Sequence, residues 1–163
     1  MIELKKITIL DDTMKECIAL DIAPEKKDFV DPNAMILALE YDFNVRNKPV
    51  ECRAIYSEGK MVGLISYHYF VDNPVYKETC YRIRPLMIDK SYLGKGYEES
   101  ALRAILEEIR TKPHGEAAAV FATHSPKEDD MAKLYESVGF IKTDLSVDDE
   151  DPDDSDIIVR MSL

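Results

Sequence analysis

Leu86-Met87-Ile88-Asp89-Lys90-Ser91-Tyr92-Leu93-Gly94-Lys95-Gly96-Tyr97-Glu98 is the stretch on which the fold turns. An apolar strand runs into a turn with two glycines, and the turn opens a helix. The first amides of a helix have no intrahelical partner and lie at the positive end of its dipole. Such a junction is a ready site for a diphosphate, and glycine lets the backbone approach the anion without a Cβ between them. A short Gly-x-Gly at this place also fits a tight turn that holds nothing.

The pattern extends in both directions. Downstream, Leu102, Ile105, Leu106 and Ile109 fall at i, i+3, i+4 and i+7, which gives a helix with one buried face. Pro113 and Gly115 end it. Residues 117–123 read as a buried strand, followed by a helix bearing Met131, Leu134, Tyr135 and Val138 that Gly139 closes. Residues 140–145 and 157–163 make a last pair of strands. Between them, residues 148–156 hold seven acids in nine positions, a density that predicts a solvated, mobile loop.

Upstream, residues 79–88 form a strand whose Pro85 cannot donate to a ladder, which implies a bulge or an edge there. Residues 50–56 and 61–70 read as a hairpin about the turn Ser57-Glu58-Gly59-Lys60. Residues 2–9 read as a first strand, and Asp12 or Thr13 caps a short helix through Leu20. Pro24 and Pro32 punctuate a loop, after which Asn33 caps a helix over residues 35–43. The order is β-α-α-β-β-β-α-β-α-β-β. This predicts an α/β (α+β) chain with a mixed sheet of about seven strands and about four helices. With no repeat and no linker rich in Gly, Ser and Pro, residues 1–163 read as one domain.

Composition narrows the partners. A formal net charge of −11 and a pI near 4.7 argue against nucleic acid, which requires a basic face. An acidic surface draws cations instead, amines and polyamines among them. No apolar run reaches membrane-spanning length and the N-terminus lacks a signal-peptide layout, so a cytoplasmic protein is expected. Cys17, Cys52 and Cys80 are odd in number and widely spaced, which suggests buried free thiols rather than disulfides or a metal site.

The segment from Tyr92 to Glu98, followed by Ala101 and Leu102, resembles the coenzyme A loop of the GNAT acetyltransferase superfamily. That family's pattern is Gln or Arg, two residues, Gly, one residue, then Gly or Ala. Leu134-Tyr135-Glu136-Ser137-Val138-Gly139-Phe140 is similar to its Leu-Tyr-x-x-x-Gly-Phe helix end, and the element order fits along essentially the whole chain. The nearest likeness is to the bacterial spermine/spermidine acetyltransferases. The resemblance implies the GNAT fold and acetyl-CoA as co-substrate, without a metal. It also implies a homodimer, as is frequent in the family. Main-chain groups of Leu86, Met87 and Ile88 would pair with the pantetheine arm as an added strand does. The amides of Leu93, Gly94, Lys95, Gly96, Tyr97, Glu98 and Glu99 would hold the diphosphate. Tyr135 matches the tyrosine that protonates the departing thiolate.

Three positions depart from that pattern. Leu93 replaces Gln or Arg, Glu98 replaces Gly or Ala, and Glu128 stands where the family usually has an Asn that bonds the pantetheine. A carboxylate suits the helix dipole but competes with a phosphate for the same amides. At ~5 Å and a surface-like dielectric the repulsion is about 1–3 kcal/mol. Two readings follow. In one, Glu98 turns to solvent and Lys95 supplies positive charge to a working enzyme. In the other, the site has decayed and the chain is a non-catalytic binding module.

If the enzyme works, a strand amide stabilises the charge developing on the thioester oxygen, and a base takes a proton from the ammonium form of the amine. His124, at the end of the central strand, is the candidate base, imidazole being the side chain that titrates nearest neutral pH. A loop histidine without a role is the plainer alternative, and for Tyr135 it is a core-facing ring. Glu25, Asp28, Asp31, Glu40 and the loop at 148–156 lie on elements expected to line the acceptor pocket. A small-molecule amine is the expected partner. A polyamine leads, with amino-acid, antibiotic and protein amines as alternatives.

Overall fold

The computed structural model describes residues 1–145 and 155–163. Seven strands form one sheet: β1 (Ile2–Lys6), β2 (Val50–Ser57), β3 (Lys60–Asn73), β4 (Glu78–Ile88), β5 (Ala119–His124), β6 (Ile141–Lys142) and β7 (Ile157–Ser162). Their spatial order is β1-β2-β3-β4-β5-β7-β6, antiparallel throughout except for the parallel pair β4 and β5. The helices are α1 (Thr13–Ala19), α2 (Asn33–Val45), α3 (Tyr97–Arg110) and α4 (Asp129–Val138), with 3-10 turns at Pro24–Lys26 and Lys90–Tyr92. The mixed α/β architecture and the element order agree with the expectation. No helix among the described residues is long and apolar enough to cross a membrane.

Two faces of the sheet are covered for different reasons. On one, Ala101, Leu102, Ile105, Leu106 and Ile109 of α3 pack with Ile55, Ile65, Tyr67, Tyr81, Ile83 and Val120, all nearly inaccessible. At roughly 25 cal/mol per Å² of apolar surface, each such side chain contributes about 1.5–3 kcal/mol, so this layer is the main source of stability. On the other face α1 and α2 cover a smaller cluster built from Cys17, Ile36, Ala54, Leu64 and Met87. Alternation along the strands sends Leu64 and Ile65, or Met87 and Ile88, to opposite layers.

The feature that positions the site is where β4 parts from β5. Their pairing runs from Cys80 opposite Ala119 to Ile83 opposite Ala122 and goes no further. At the next residues β4 bulges: Ile65 faces Leu86 and Tyr67 faces Ile83, so Ser66 alone opposes Arg84 and Pro85. The proline-based expectation of a bulge holds. Ser66 is fully buried, and its Oγ lies 2.9 Å from the Arg84 carbonyl oxygen and 2.7 Å from Glu40 Oε1. Beyond the bulge Leu86, Met87 and Ile88 pair with Ile65, Leu64 and Gly63 on one side only.

Some local expectations need correction. The first strand stops at Lys6 rather than residue 9, because Thr8 N turns back to Thr13 Oγ1 at 2.9 Å. Asp12 stands at the N-cap of α1 as expected, but its side chain makes no cap bond; Asp11 Oδ1 accepts from Thr13 N instead. Asn33 does not cap α2 but is its first residue, and its Nδ2 donates to the carbonyls of Cys17 and Leu20 at 3.0 Å each. That bond ties the end of α1 to the start of α2. The sixth strand is two residues long, and of the acidic stretch 148–156 expected to be a mobile loop, residues 148–154 lie outside the described residues.

Gly63 is required by close approach: a Cβ there would lie 2.2 Å from the Met87 carbonyl oxygen and 2.7 Å from Ile88 Cδ1. Gly63→Ala is expected to lower stability in denaturant unfolding by about 1–3 kcal/mol, the cost of overpacking. An unchanged midpoint would show that β4 yields freely at this point.

Candidate active site

Where β4 leaves β5 a cleft of about 960 Å³ opens. Its floor is the strand from Ile83 to Ile88, one end is the glycine turn, and the far wall is the end of β5 with the start of α4. The 3-10 turn at Pro24–Lys26 and the residues after it form the mouth.

The glycine turn is built for close approach. Gly94 and Gly96 have φ of 73° and 75°, the left-handed region that other residues enter only at a cost, and a Cβ on either would meet nothing within 4 Å. Gly96 caps α3 without a side-chain partner. Among the described residues, no protein group accepts a hydrogen bond from the main-chain N–H groups of residues 93–99. An anion placed there would meet several donors and the helix dipole.

The side chains around the turn are disposed unevenly. Leu93, Glu98 and Glu99 line the cleft with both glycines. Glu99 is held by Arg103 at 2.8 Å. Glu98 has no hydrogen bond or ion pair among the described residues. Lys95 is not on the cleft wall; its Nζ lies 5.0 Å over the Tyr92 ring. Tyr97 packs into the core against Tyr92. Leu93, where a polar brace is usual, also packs on the core.

Asp89 fixes the strand end that feeds the turn. Its Oδ1 accepts from Ser91 N at 2.8 Å and its Oδ2 from Asp21 N at 2.7 Å, and Lys90 N donates to the Asp21 carbonyl at 2.9 Å. Lys90 Nζ closes the ring on the Asp21 carboxylate. The loop after α1 is thereby fastened to the end of the strand that leads into the glycine turn.

On the far wall, Glu128 precedes α4 and is nearly buried. Its Oε2 accepts from Ser125 N at 3.3 Å, and its Oε1 lies 3.4 Å from Lys26 Nζ, which also meets Asp130 at 2.6 Å. The replacement at 128 thus has a local partner: it anchors a lysine that crosses from the mouth to α4. Burial opposes the Lys26 charge, but Asp130 and Glu128 outweigh it and hold the ammonium above its usual range.

Tyr135 and His124 come together beside the cleft, ring centroids 6.1 Å apart and both nearly buried. Tyr135 OH has no hydrogen-bond partner among the described residues. Burial, reinforced by the charge of Glu128, pushes this phenol well above its ordinary range, so it keeps its proton throughout neutral pH. His124 Nδ1 lies 2.9 Å from the Ser125 carbonyl oxygen. A carbonyl only accepts, so Nδ1 carries a hydrogen and Nε2 of the neutral ring is left as an acceptor.

The acids expected around the acceptor separate into two groups. Glu25, Asp28 and Asp156 line the cleft, joined by Asp130. Glu40 does not: it is buried under α2 against Ser66 and lies 3.3 Å from His68 Nε2. Asp31 is exposed outside the cleft. Sequence reading missed Lys26, the Asp21–Asp89–Lys90 ring and Arg84 on the cleft wall. Only Arg84, adjoining the proline that marks the bulge, carried a local signal. No group of three or more His, Cys, Asp and Glu among the described residues could hold a metal ion.

Burial alone would raise the Asp89 carboxyl, but the amides of Asp21 and Ser91 outweigh it and hold the group below the usual range. A depressed carboxyl stabilises the fold above its unfolded pKa, about 3.9, and loses that contribution as pH falls through the folded value. Asp89→Asn is therefore expected to cost about 1–3 kcal/mol at pH 7. Its gap to the parent should close below about pH 4 in thermal unfolding across a pH series; a gap constant with pH would contradict the assignment.

Comparison with known proteins places this geometry. The family model described as acetyltransferase (GNAT) family matches residues 16–140. No curated protein matches the chain in sequence. Solved structures do. Aminoglycoside acetyltransferase AAC(6')-Ib in complex with coenzyme A aligns at 18% identity and TM-score 0.73, covering 99% of this chain and 95% of its own. PaiA N-acetyltransferase from Thermoplasma acidophilum, also in complex with coenzyme A, aligns at 14% identity and TM-score 0.68 over 100% and 99%. Ribosomal-protein-S18-alanine N-acetyltransferase from Escherichia coli aligns at 14% and 0.68 over 99% and 94%. At these identities the structures speak for the fold, and the family match covers more than half the chain. The chain belongs to the acetyltransferase (GNAT) family.

Proposed function

We propose that this protein is a cytoplasmic N-acetyltransferase that moves the acetyl group of acetyl-CoA to the nitrogen of a small cationic amine, polyamines included. The observation that carries this reading is the one-sided pairing of Leu86, Met87 and Ile88, which begins at the bulge and ends at the phosphate turn. An extended arm can hydrogen-bond along that edge while its diphosphate sits on the amides of residues 93–99. The open space before Gly94 and Gly96 fits that group.

Bound acetyl-CoA supplies an acyl group already activated as a thioester. The protein's part is to orient it, exclude water and move two protons. His124 Nε2 takes the proton that an ammonium must lose before its nitrogen can attack. Tyr135, kept protonated by burial, gives a proton to the departing sulfur. Glu25, Asp28 and Asp156 draw the cation into the mouth. Cys17, Cys52 and Cys80 are free thiols, which suits a reducing compartment.

Coenzyme A at a hundredfold excess over its Kd should stabilise the fold by about 2.7 kcal/mol in thermal unfolding. Absence of any shift at millimolar concentration removes this reading and leaves a non-catalytic module. Glu98→Gly should tighten coenzyme A by about five- to 150-fold if the carboxylate opposes the diphosphate. Unchanged affinity would place that charge in solvent. Tyr135→Phe should lower kcat by about a hundredfold or more, scored by thiol release, with the coenzyme A shift retained. A kcat within a few-fold of the parent would take the acid role from Tyr135.

A further inference from the structure

The sequence contains seven arginines, at positions 46, 53, 82, 84, 103, 110 and 160. Five hold carboxylates: Arg46 with Asp42, Arg53 with Glu51 and Glu108, Arg103 with Glu99, Arg110 with Glu107, and Arg160 with Glu78. Arg82 and Arg84 have no ion pair among the described residues, in a chain with 32 acids. They are the two that stand together, at i and i+2 on β4, so they share a face of the sheet. Arg82 is half-buried, and its Nε is buried without an acceptor. Arg84 is exposed on the cleft wall. Burial and then the charge of Arg84 work against the Arg82 guanidinium, with the charge of Asp156 offsetting part of that. Two neighbouring guanidiniums, one of them partly desolvated, have no ion-pairing carboxylate among the described residues, Asp156 offsetting only part of the cost, and so leave room for an anion from outside.

Position says which molecule brings it. Arg84 to Ile88 is four residues of strand, about 13 Å, and the phosphate turn lies beyond Ile88. An anion at Arg84 is therefore separate from the diphosphate. It lies before the segment Leu86, Met87 and Ile88, at the end away from the glycine turn, and Arg84 lines the same cleft as His124. We propose that Arg84, with Arg82 behind it, binds a carboxylate on the acceptor, so that the preferred substrate is a zwitterion, an amine that also carries a carboxylate. The guanidinium fork matches a carboxylate in two parallel hydrogen bonds. The amine end meets the acids Glu25 and Asp28 of the mouth, so the mixed charge of the cleft mirrors the mixed charge of the ligand. This rests on the transferase reading of the same cleft and narrows its acceptor class away from polycations.

The test uses ω-amino acids from glycine to 6-aminohexanoate, each beside its own carboxamide, with spermidine as the fully cationic member. Acetyl transfer is scored by thiol release from acetyl-CoA, and binding of each amine by calorimetric titration, with and without coenzyme A. For the acid of best length, KM and Kd should both be at least about tenfold below those of its carboxamide. Spermidine should do no better than the carboxamide. Arg84→Gln, an exposed position that spares the core, should narrow the acid–carboxamide gap to within about twofold, and Arg82→Gln should narrow it too. Equal use of acid and carboxamide, preference for spermidine, or an unchanged gap in Arg84→Gln overturns the assignment. If no amine is acetylated, the titration still decides. A carboxylate preference that disappears in Arg84→Gln keeps the anion site while the transferase reading fails; equal binding of acid and carboxamide removes the site.

Discussion

Everything at the cleft depends on hydrogen bonds that β4 and β5 do not make. Parallel strands side by side would normally continue their ladder, since an unpaired buried backbone group is costly. Here the ladder ends at Ile83 because Arg84 and Pro85 crowd opposite a single residue of β3. The fully buried Ser66 hydroxyl lies within hydrogen-bond reach of the crowded Arg84 carbonyl and of Glu40, two acceptors that share its single proton. A buried polar contact from α2 through β3 thus lies beneath the point of divergence.

The order of the eleven elements, the bulge and the glycine turn were legible in the sequence because each depends on local chemistry. Proline lacks a donor, glycine reaches positive φ, and apolar spacing marks the buried face of α3. Other features depended on partners distant in sequence. Asn33 has the composition of a helix cap, yet its amide reaches back to Cys17 and Leu20, because α1 and α2 pack closely enough to compete for it. Glu40 looked like a pocket acid and is a buried partner of Ser66, a contact spanning 26 residues. Glu128 looked like the loss of a ligand-binding amide and is an anchor for Lys26, 102 residues away. Side-chain polarity gave the right inventory of charges; only the fold could distribute them between cleft and interior.

That distribution matters in a chain so acidic. Its arginines are mostly committed, five of the seven to carboxylates, and near the site Lys26 is held at the mouth of the cleft and Lys90 on Asp21. Potential near the site therefore depends less on net charge than on the few groups left over. Glu98 is one such group, close to the turn, and the arginine pair on β4 is another. Both positions would read as unremarkable surface charges without the strand that places them.

The exposed backbone of Leu86, Met87 and Ile88 has one more implication. A bare strand margin on the outside of a protein is adhesive, and other chains can stack onto it. This one is recessed behind the Pro24–Lys26 turn and the start of α4, with Lys26 reaching from one to the other. Burial of the seam therefore does the work that charged or kinked borders do elsewhere: it keeps the unpaired margin off the outer surface while leaving it open to the cleft.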